Sequence, residues 1–578
     1  MREVIVGVRS SLVYVKASTR KTRDGQAIRY LQLAHNEWDP ATKASKTRVL
    51  HSFGREDQLD VAGIRRLVDA LSRLLDPADA LAAAAPAGLS FVESRPLGGA
   101  WLFDGLWRRL RIDTVLRPLV GSARREVDVE RVLFALVANR ALAPSSKLAA
   151  AEWVCQDVHL PGLAHVTDDA CYRAMDQLIA VEPALTRGVY DQLADLLNLE
   201  VDLLFFDTTS TYFELDEGDD LVWRDQHGKP VNADDPAAVK QAGFRTHGKS
   251  KDSRDDLPQV VVGMAVTRTG IPVRVWCWPG NTGDSALIRQ VKTDMREWNL
   301  ARVVWVADRG FASAENRRFL QQGGGHYILG EKLRAGTGEA DQALARQGRY
   351  ASVAENLQVK EVNIDTDDRF VICYNPEAAV RDAAVRKRLL AQLSDLIDGT
   401  DRLSGTKRAE LRGVISTKPG LNRFLRVTPK GLLRIDHAKI KAEQRLDGKY
   451  LLRCSDPKLS AEDIALGYKQ LLEVERGWRD MKTTLDLRPV FHRREDRIRA
   501  HILLCWLALL LIRVAETDTG RTWHAIRTDI DRLHLGVFTG PAGTFAQRTE
   551  LSQPQKTLLS KLRITEPPRV FDATPATA

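Results

Sequence analysis

The chain predicts an α/β protein organised around a mixed sheet, and three observations carry that prediction. Short apolar runs rich in Val, Ile and Phe alternate with helical patterns between Val201 and Leu329. Two of these runs close on an aspartate, Asp207 and Asp308. A third acid, Glu475, lies on a stretch opened by Ser460, an N-cap residue with an acidic side chain three places on, Asp463.

Length and charge set the bounds. At 578 residues the chain exceeds one core and divides into roughly three or four domains. Its 85 Lys and Arg against 76 Asp and Glu leave a net charge of +9, and the pI is about 9.2, a basic excess suited to a polyanionic partner. Six cysteines, Cys155, Cys171, Cys277, Cys373, Cys454 and Cys505, stand singly without the close pairs of a zinc or redox motif, pointing to a reducing, cytosolic setting. The first residues lack a signal-peptide pattern, and the most apolar run, Ile502 to Ile512, is short of a bilayer span and reads as a core helix.

Residues 1–90 begin with three alternating runs, Ser11 to Lys16, Ile28 to Leu33 and Thr47 to Leu50, separated by turn signals at Asp24-Gly25 and Asp39-Pro40. A small antiparallel sheet follows, with Arg20, Lys21 and Arg23 near one hairpin tip. Leu59 to Leu75 is helical, and Asp76-Pro77 to Gly88 is a Pro/Ala linker. Residues 91–200 carry helical spacing throughout and form an α-helical domain, a place where DNA readers occur.

From 201 to 330 the predicted order is β-β-β-α-β-α-β. Val201 to Phe206 ends at Asp207, and Ala301 to Ala307 ends at Asp308; a helix spans Asp284 to Trp298 between them. That order suits an RNase H-like core, with the first strand central and the fourth parallel beside it. Both aspartates would then emerge at the carboxyl edge of the sheet, where open α/β sheets place their sites. Residues 331–459 are too long for a loop and predict a mostly-β insertion domain, and residues 460–520 return to the core as closing helices. Residues 521–578 predict C-terminal helices and, after about 566, a disordered tail.

On one continuous helix, positions seven apart fall within about 20° of each other, so Tyr468, Glu475 and Lys482 share a face. Glu473 lies about 200° from Glu475 and cannot serve the same site. Two hard oxygen ligands at the sheet edge and a third from this helix match a Mg²⁺ site.

Asp207-Thr208-Thr209, Asp308-Arg309-Gly310-Phe311 and the series Tyr468, Leu471, Glu475, Lys482 resemble the DDE transposases of bacterial insertion sequences. The last series is similar to the third motif of the IS-four superfamily, in which Tyr, Arg, Glu and Lys stand at the same spacing. Gly248-Lys249-Ser250-Lys251-Asp252, Asp256-Leu257-Pro258-Gln259-Val260 and Pro279-Gly280-Asn281-Thr282 resemble the IS-sixteen-thirty-four family most. Leu471 departs from the motif's Arg, and Arg476 or Arg479 would replace that phosphate contact.

The resemblance implies metal-dependent cleavage at element ends followed by strand transfer into target DNA, as cut-and-paste transposition. Asp207, Asp308 and Glu475 would hold two Mg²⁺ ions, for which Mn²⁺ substitutes. Tyr468 and Lys482 would grip DNA phosphates, as would Lys249, Lys251 and Arg254. The implied partners are double-stranded DNA, at terminal inverted repeats and target, and a second copy in a synaptic homodimer. Two other readings share these signals: a structure-selective nuclease, which cuts without joining, and a DNA-binding protein whose catalysis has lapsed. Strand-transfer and metal-dependent cleavage assays separate the three.

Overall fold

A computed structural model describes residues 13–21, 27–39, 42, 44–72, 74, 89–121, 128–196, 203–225, 228, 230–296, 298, 303–334, 338–540 and 543–575. The chain divides into two compact units, residues 1–93 with 537–546 and 572–578, and residues 94–536 with 547–571.

In the first unit, alternation of apolar and polar side chains produces the expected antiparallel sheet, β1 (Val13–Lys21), β2 (Ala27–Asp39) and β3 (Ala44–Arg55). Two register shifts in the β2–β3 ladder mark bulges. A helix, Val61–Ser72, follows. Arg20 and Lys21 end β1, whereas Arg23, the Asp24-Gly25 turn and the 76–88 linker fall outside the described residues.

β4 (Ser90–Pro96) crosses the boundary at residue 93 and is followed in the second unit by the predicted helices, from Gly98–Arg109 to Glu182–Leu196. Its sheet begins with β5 (Leu203–Tyr212). A short hairpin, β6 (Val222–Arg224) and β7 (Val239–Gln241), occupies the polar segment that had no predicted strand. Next come β8 (Gln259–Thr267), β9 (Pro272–Pro279), β10 (Val304–Ala307) and β11 (His326–Glu331). β10 runs parallel to both β5 and β11, while β8 is antiparallel to β5 and β9 to β8. The first strand is therefore central with the fourth beside it, as the alternation implied.

Four expectations change. The helix from Asp284 ends at Asp294 rather than Trp298, where the backbone N–H of Met295 returns to the Thr293 and Val291 carbonyls. The 331–459 segment is not mostly β: its longest element is the helix Pro376–Ile397. Its strands β12 (Ala351–Ala354), β13 (Leu357–Val362), β14 (Arg369–Tyr374) and β17 (Lys449–Cys454) extend the core sheet, because β17 pairs with β11; only the hairpin of β15 (Leu425–Val427) and β16 (Leu433–Ile435) stands apart. The resulting nine-stranded order is β12-β13-β14-β17-β11-β10-β5-β8-β9. Residues after 566 are not all tail, since β20 (Val570–Pro575) joins β19 (Gly543–Arg548), β18 (His534–Gly540) and β4 in a four-stranded sheet.

The fourth change concerns the stretch after Ser460. Ser460 and Asp463 form the expected capping box. The helix it opens ends at Lys469, and a second helix, Leu472–Thr483, begins after the turn Gln470–Leu471. Tyr468 and Glu475 thus belong to different helices, and the seven-residue face holds only within the second, for Glu475 and Lys482.

The long helix Glu495–Thr519 has the length and apolarity of a membrane span, but 94% of its apolar window is buried inside the protein, which makes it the core helix predicted. Leu472–Thr483 packs against this helix and against β5 and β8, and Gly477 allows the approach to β8. A Cβ on Gly477 would stand 2.6 Å from the Met264 methyl on β8. Gly477→Val, which fills that contact with a branched side chain, should destabilise the unit by about 2 kcal/mol in denaturant unfolding. Gly477→Ala should cost less, because the flexible end of Met264 can yield.

Candidate active site

Parallel pairing of β10 with β5 aligns Val304 with Leu203 and ends with Ala307 opposite Phe206. The next pair in that register is Asp308 and Asp207, so two carboxylates leave adjacent strands where the parallel ladder stops. Asp207 does not end its strand, contrary to expectation. β5 runs on to Tyr212 because β8 continues to pair with its other edge, Asp207 opposite Met264. Side chains alternate between faces. Leu204 and Phe206 enter the core cluster with Trp276, Trp305 and Phe311, so Asp207 and Met264 face the other way, toward Gly477 and its helix.

Glu475 sits two residues before Gly477. It lines, with Asp207 and Asp308, one cleft of about 390 Å³ that Asn356, Asn375, Tyr450 and Tyr468 also border. Glu475 is exposed and, among the described residues, makes no ion pair. Glu473 is not in the cleft but lies against the β8–β9 turn at Gly270 and about 4.0 Å from Arg476.

Burial pushes the Asp207 carboxyl up to about 6, and the charges of Asp308 and Asp284 push the same way; the Thr208 backbone and the Lys251 ammonium oppose them. Asp308 caps the turn Arg309–Phe311 and accepts from the Arg309 backbone N–H at 2.6 Å. The Tyr468 hydroxyl donates to Asp308 Oδ1 at 3.4 Å, with its ring stacked on Tyr450. Burial, then the Asp308 charge, pushes this phenol up, so it remains a donor. Gly330 leaves room for that hydroxyl, since a Cβ there would stand 2.4 Å from it.

The predicted cations divide into three groups. Lys482 Nζ bonds Asp252 Oδ1 at 2.9 Å, and Lys251 Nζ bonds Asp284 at 2.8 Å beside Asp207. Arg254 pairs with Asp256 and lies over the Tyr212 ring. Arg476 instead turns to Glu516 of the core helix, away from the acids. Lys249 and Arg479 are exposed. Residues not singled out as part of a site beforehand are Asp284, which also accepts from Thr208 Oγ1, and Arg488, which shares Asp252 with Lys482. Only folding brings these together, and no local pattern marks them.

Residues 228–511 match the transposase DDE domain model, and residues 15–82 match the model for the IS1634 family transposase N-terminal domain. No curated protein matches the chain. Among solved structures, the piggyBac transposase synaptic complex with hairpin DNA is similar at 10% identity over 76% of this chain and 82% of that one, with a TM-score of 0.34. The two family matches, one spanning Asp308 and Glu475 and one over the N-terminal sheet, place this chain in the IS1634 family of DDE transposases, enzymes of DNA transposition.

Proposed function

We propose that this transposase cuts element ends and joins them to target DNA in an RNase H-like core, with Asp207, Asp308 and Glu475 as the acids that hold divalent magnesium. The observation that carries the reading is the in-register pair Asp207 and Asp308 at the end of the β5–β10 ladder, with Glu475 on the same cleft. The donor set fits the ion: all three are carboxylates, the hard oxygen ligands that magnesium takes. The repulsion that helps raise the Asp207 carboxyl is what a bound cation relieves. Among the described residues no three acidic, His or Cys side chains close into a ready cage. Magnesium, which keeps waters and takes phosphate oxygens, does not require one.

Asp207, Asp308 and Glu475 would hold two such ions, which would supply the charge that activates the attacking oxygen and stabilises the leaving one at phosphorus. The chain's own residues do the rest. Tyr468 steers Asp308 through its hydroxyl, Asn356 and Tyr450 wall the cleft, and Lys482 meets the DNA backbone near the cut. Lys251, bonded to Asp284, supplies positive charge beside Asp207. The 331–459 segment acts as an insertion that widens the surface around the cleft, to which it contributes Asn356, Asn375 and Tyr450. The working assembly is a synaptic homodimer on terminal inverted repeats, acting in the cytoplasm by cut-and-paste.

The test is cleavage of a labelled duplex carrying the element end, with Mg²⁺ or Mn²⁺. Glu475→Gln should lose on the order of 10³-fold or more in single-turnover rate, with duplex binding retained. Glu473→Gln should cut normally. The reverse outcome would remove Glu475 from the site, and cleavage without joining would mark a nuclease.

A further inference from the structure

The cation most closely tied to the acid-bearing helix is not free. Asp252 spans two positive side chains, Oδ1 to Lys482 Nζ and Oδ2 to Arg488 Nη1, both at 2.9 Å. Among the described residues neither cation has another ion pair. Arg488 also lies 4.6 Å over the Tyr212 ring, whose strand carries Asp207 five residues earlier. All three charged side chains are largely withdrawn from water, at 16%, 26% and 20% exposure for Lys482, Arg488 and Asp252.

We propose that Lys482, Arg488 and Tyr212 form a binding site for one backbone phosphodiester of DNA, and that Asp252 occupies it in the free protein as a stand-in for that phosphate. The proposal rests on the reading of the acid cleft as the place where DNA is cut. A carboxylate offers two oxygens on one central atom, one to each cation, and a phosphodiester offers its two unbridged oxygens in the same manner. One carboxylate against two cations leaves the pocket with surplus positive charge, so an anion is still favoured there. Arg488 stays in place on the Tyr212 face when its counterion leaves, because the ring attracts the guanidinium independently.

Asp252 is able to leave. It sits in the polar loop Gly248 to Asp256, which Lys251 anchors through its N–H to Ser210 Oγ and its Nζ to Asp284, both at 2.8 Å, whereas the Asp252 backbone N–H bonds only within the loop, to Ser250 Oγ at 3.1 Å. The residue after it, Ser253, has φ +58°, a left-handed conformation that costs about 1 kcal/mol or more in a non-glycine residue. Release of Asp252 frees the loop from that turn. Lys482 lies two turns beyond Glu475 on one face, about 10 Å along the helix axis. A strand entering the cleft therefore passes over this site, and its phosphate completes what Asp252 now fills. The loop then acts as a tether that makes non-specific DNA compete with the protein's own carboxylate.

The test measures binding of the full-length protein to a labelled mixed-sequence duplex in EDTA, across salt concentration, so no chemistry intervenes. Asp252→Asn should tighten binding, and its log–log salt slope should steepen by about one unit. Its advantage over wild type should therefore grow roughly three- to fourfold between about 200 and about 50 mM salt. Arg488→Gln should weaken binding and flatten the slope by about one unit, and in its background Asp252→Asn should gain less. Unchanged or weaker binding by a folded Asp252→Asn would overturn the proposal and make Asp252 a structural tie. Should Asp252→Asn unfold, Arg488→Gln decides, since it keeps the Lys482–Asp252 pair; a wild-type slope there overturns the site. Failure in this assay leaves the cleavage defect of Glu475→Gln untouched, so the two readings fall separately.

Discussion

Asp207→Asn should cut no DNA yet melt at a higher temperature than the wild-type protein in metal-free buffer near pH 7.5. The two results share one cause. The fold holds the Asp207 carboxyl up at about 6, first through burial and then through Asp308 and Asp284. A carboxyl raised in the folded state contributes stability that is fully present below its unfolded value near 4 and is lost as pH rises through about 6. Above that the folded protein carries a half-buried, repelled charge, a penalty of about 3 kcal/mol. The asparagine removes it, so the melting difference should be absent near pH 4, open between about pH 4 and pH 6 and then level off. Added Mg²⁺ should raise the melting temperature of wild type and not of the variant, because only the native state of the former binds it. A variant that melts lower at neutral pH and still cuts would show Asp207 to be an ordinary turn residue. The stability gain separates a charge kept for chemistry from one kept for structure.

What could be seen in the residues beforehand follows from how local each signal is. Alternation and β-branching located β5, β8, β9, β10 and β11, and the aspartate after Ala307 is as visible in the chain as in the fold. In the chain the apolar run ends at Asp207 and polar Thr208 to Ser210 follow it; only pairing with β8 shows that these residues continue the ladder. The break at Gln470–Leu471 carries no Pro or Gly, so periodicity ran through it. Tyr468 nonetheless reaches the cleft, because the turn reorients the first helix over β11, where Gly330 receives its hydroxyl. The 331–459 strands joined the sheet through β17 and β11, partners more than a hundred residues apart, which no window along the chain can detect. The same holds for Asp252, whose loop is separated from Lys482 and Arg488 by over two hundred residues.

Arg513→Met should be strongly damaging although it lies outside the cleft, and it should act on the cleft. Arg513 is 2% exposed on the core helix Glu495–Thr519 and bonds Asp480 Oδ2 at 2.6 Å and Glu516 Oε2 at 2.5 Å. Asp480 lies on Leu472–Thr483, so this guanidinium clamps the Glu475-bearing helix to the core. Burial already holds the Asp480 carboxyl above the ordinary carboxylate range against the attraction of Arg513. Without the arginine, Glu516 keeps Arg476 and the Trp523 backbone N–H, whereas Asp480 loses its ion pair. Removing one partner of a buried pair costs about 3–5 kcal/mol, far more than replacing both. Denaturant unfolding should therefore show a loss of that size for Arg513→Met and recovery of most of it in Arg513→Met with Asp480→Leu. If the double variant recovers stability but not cleavage, the clamp sets the position of Glu475. If it recovers both, apolar packing alone orients the helix, and the charges serve only each other.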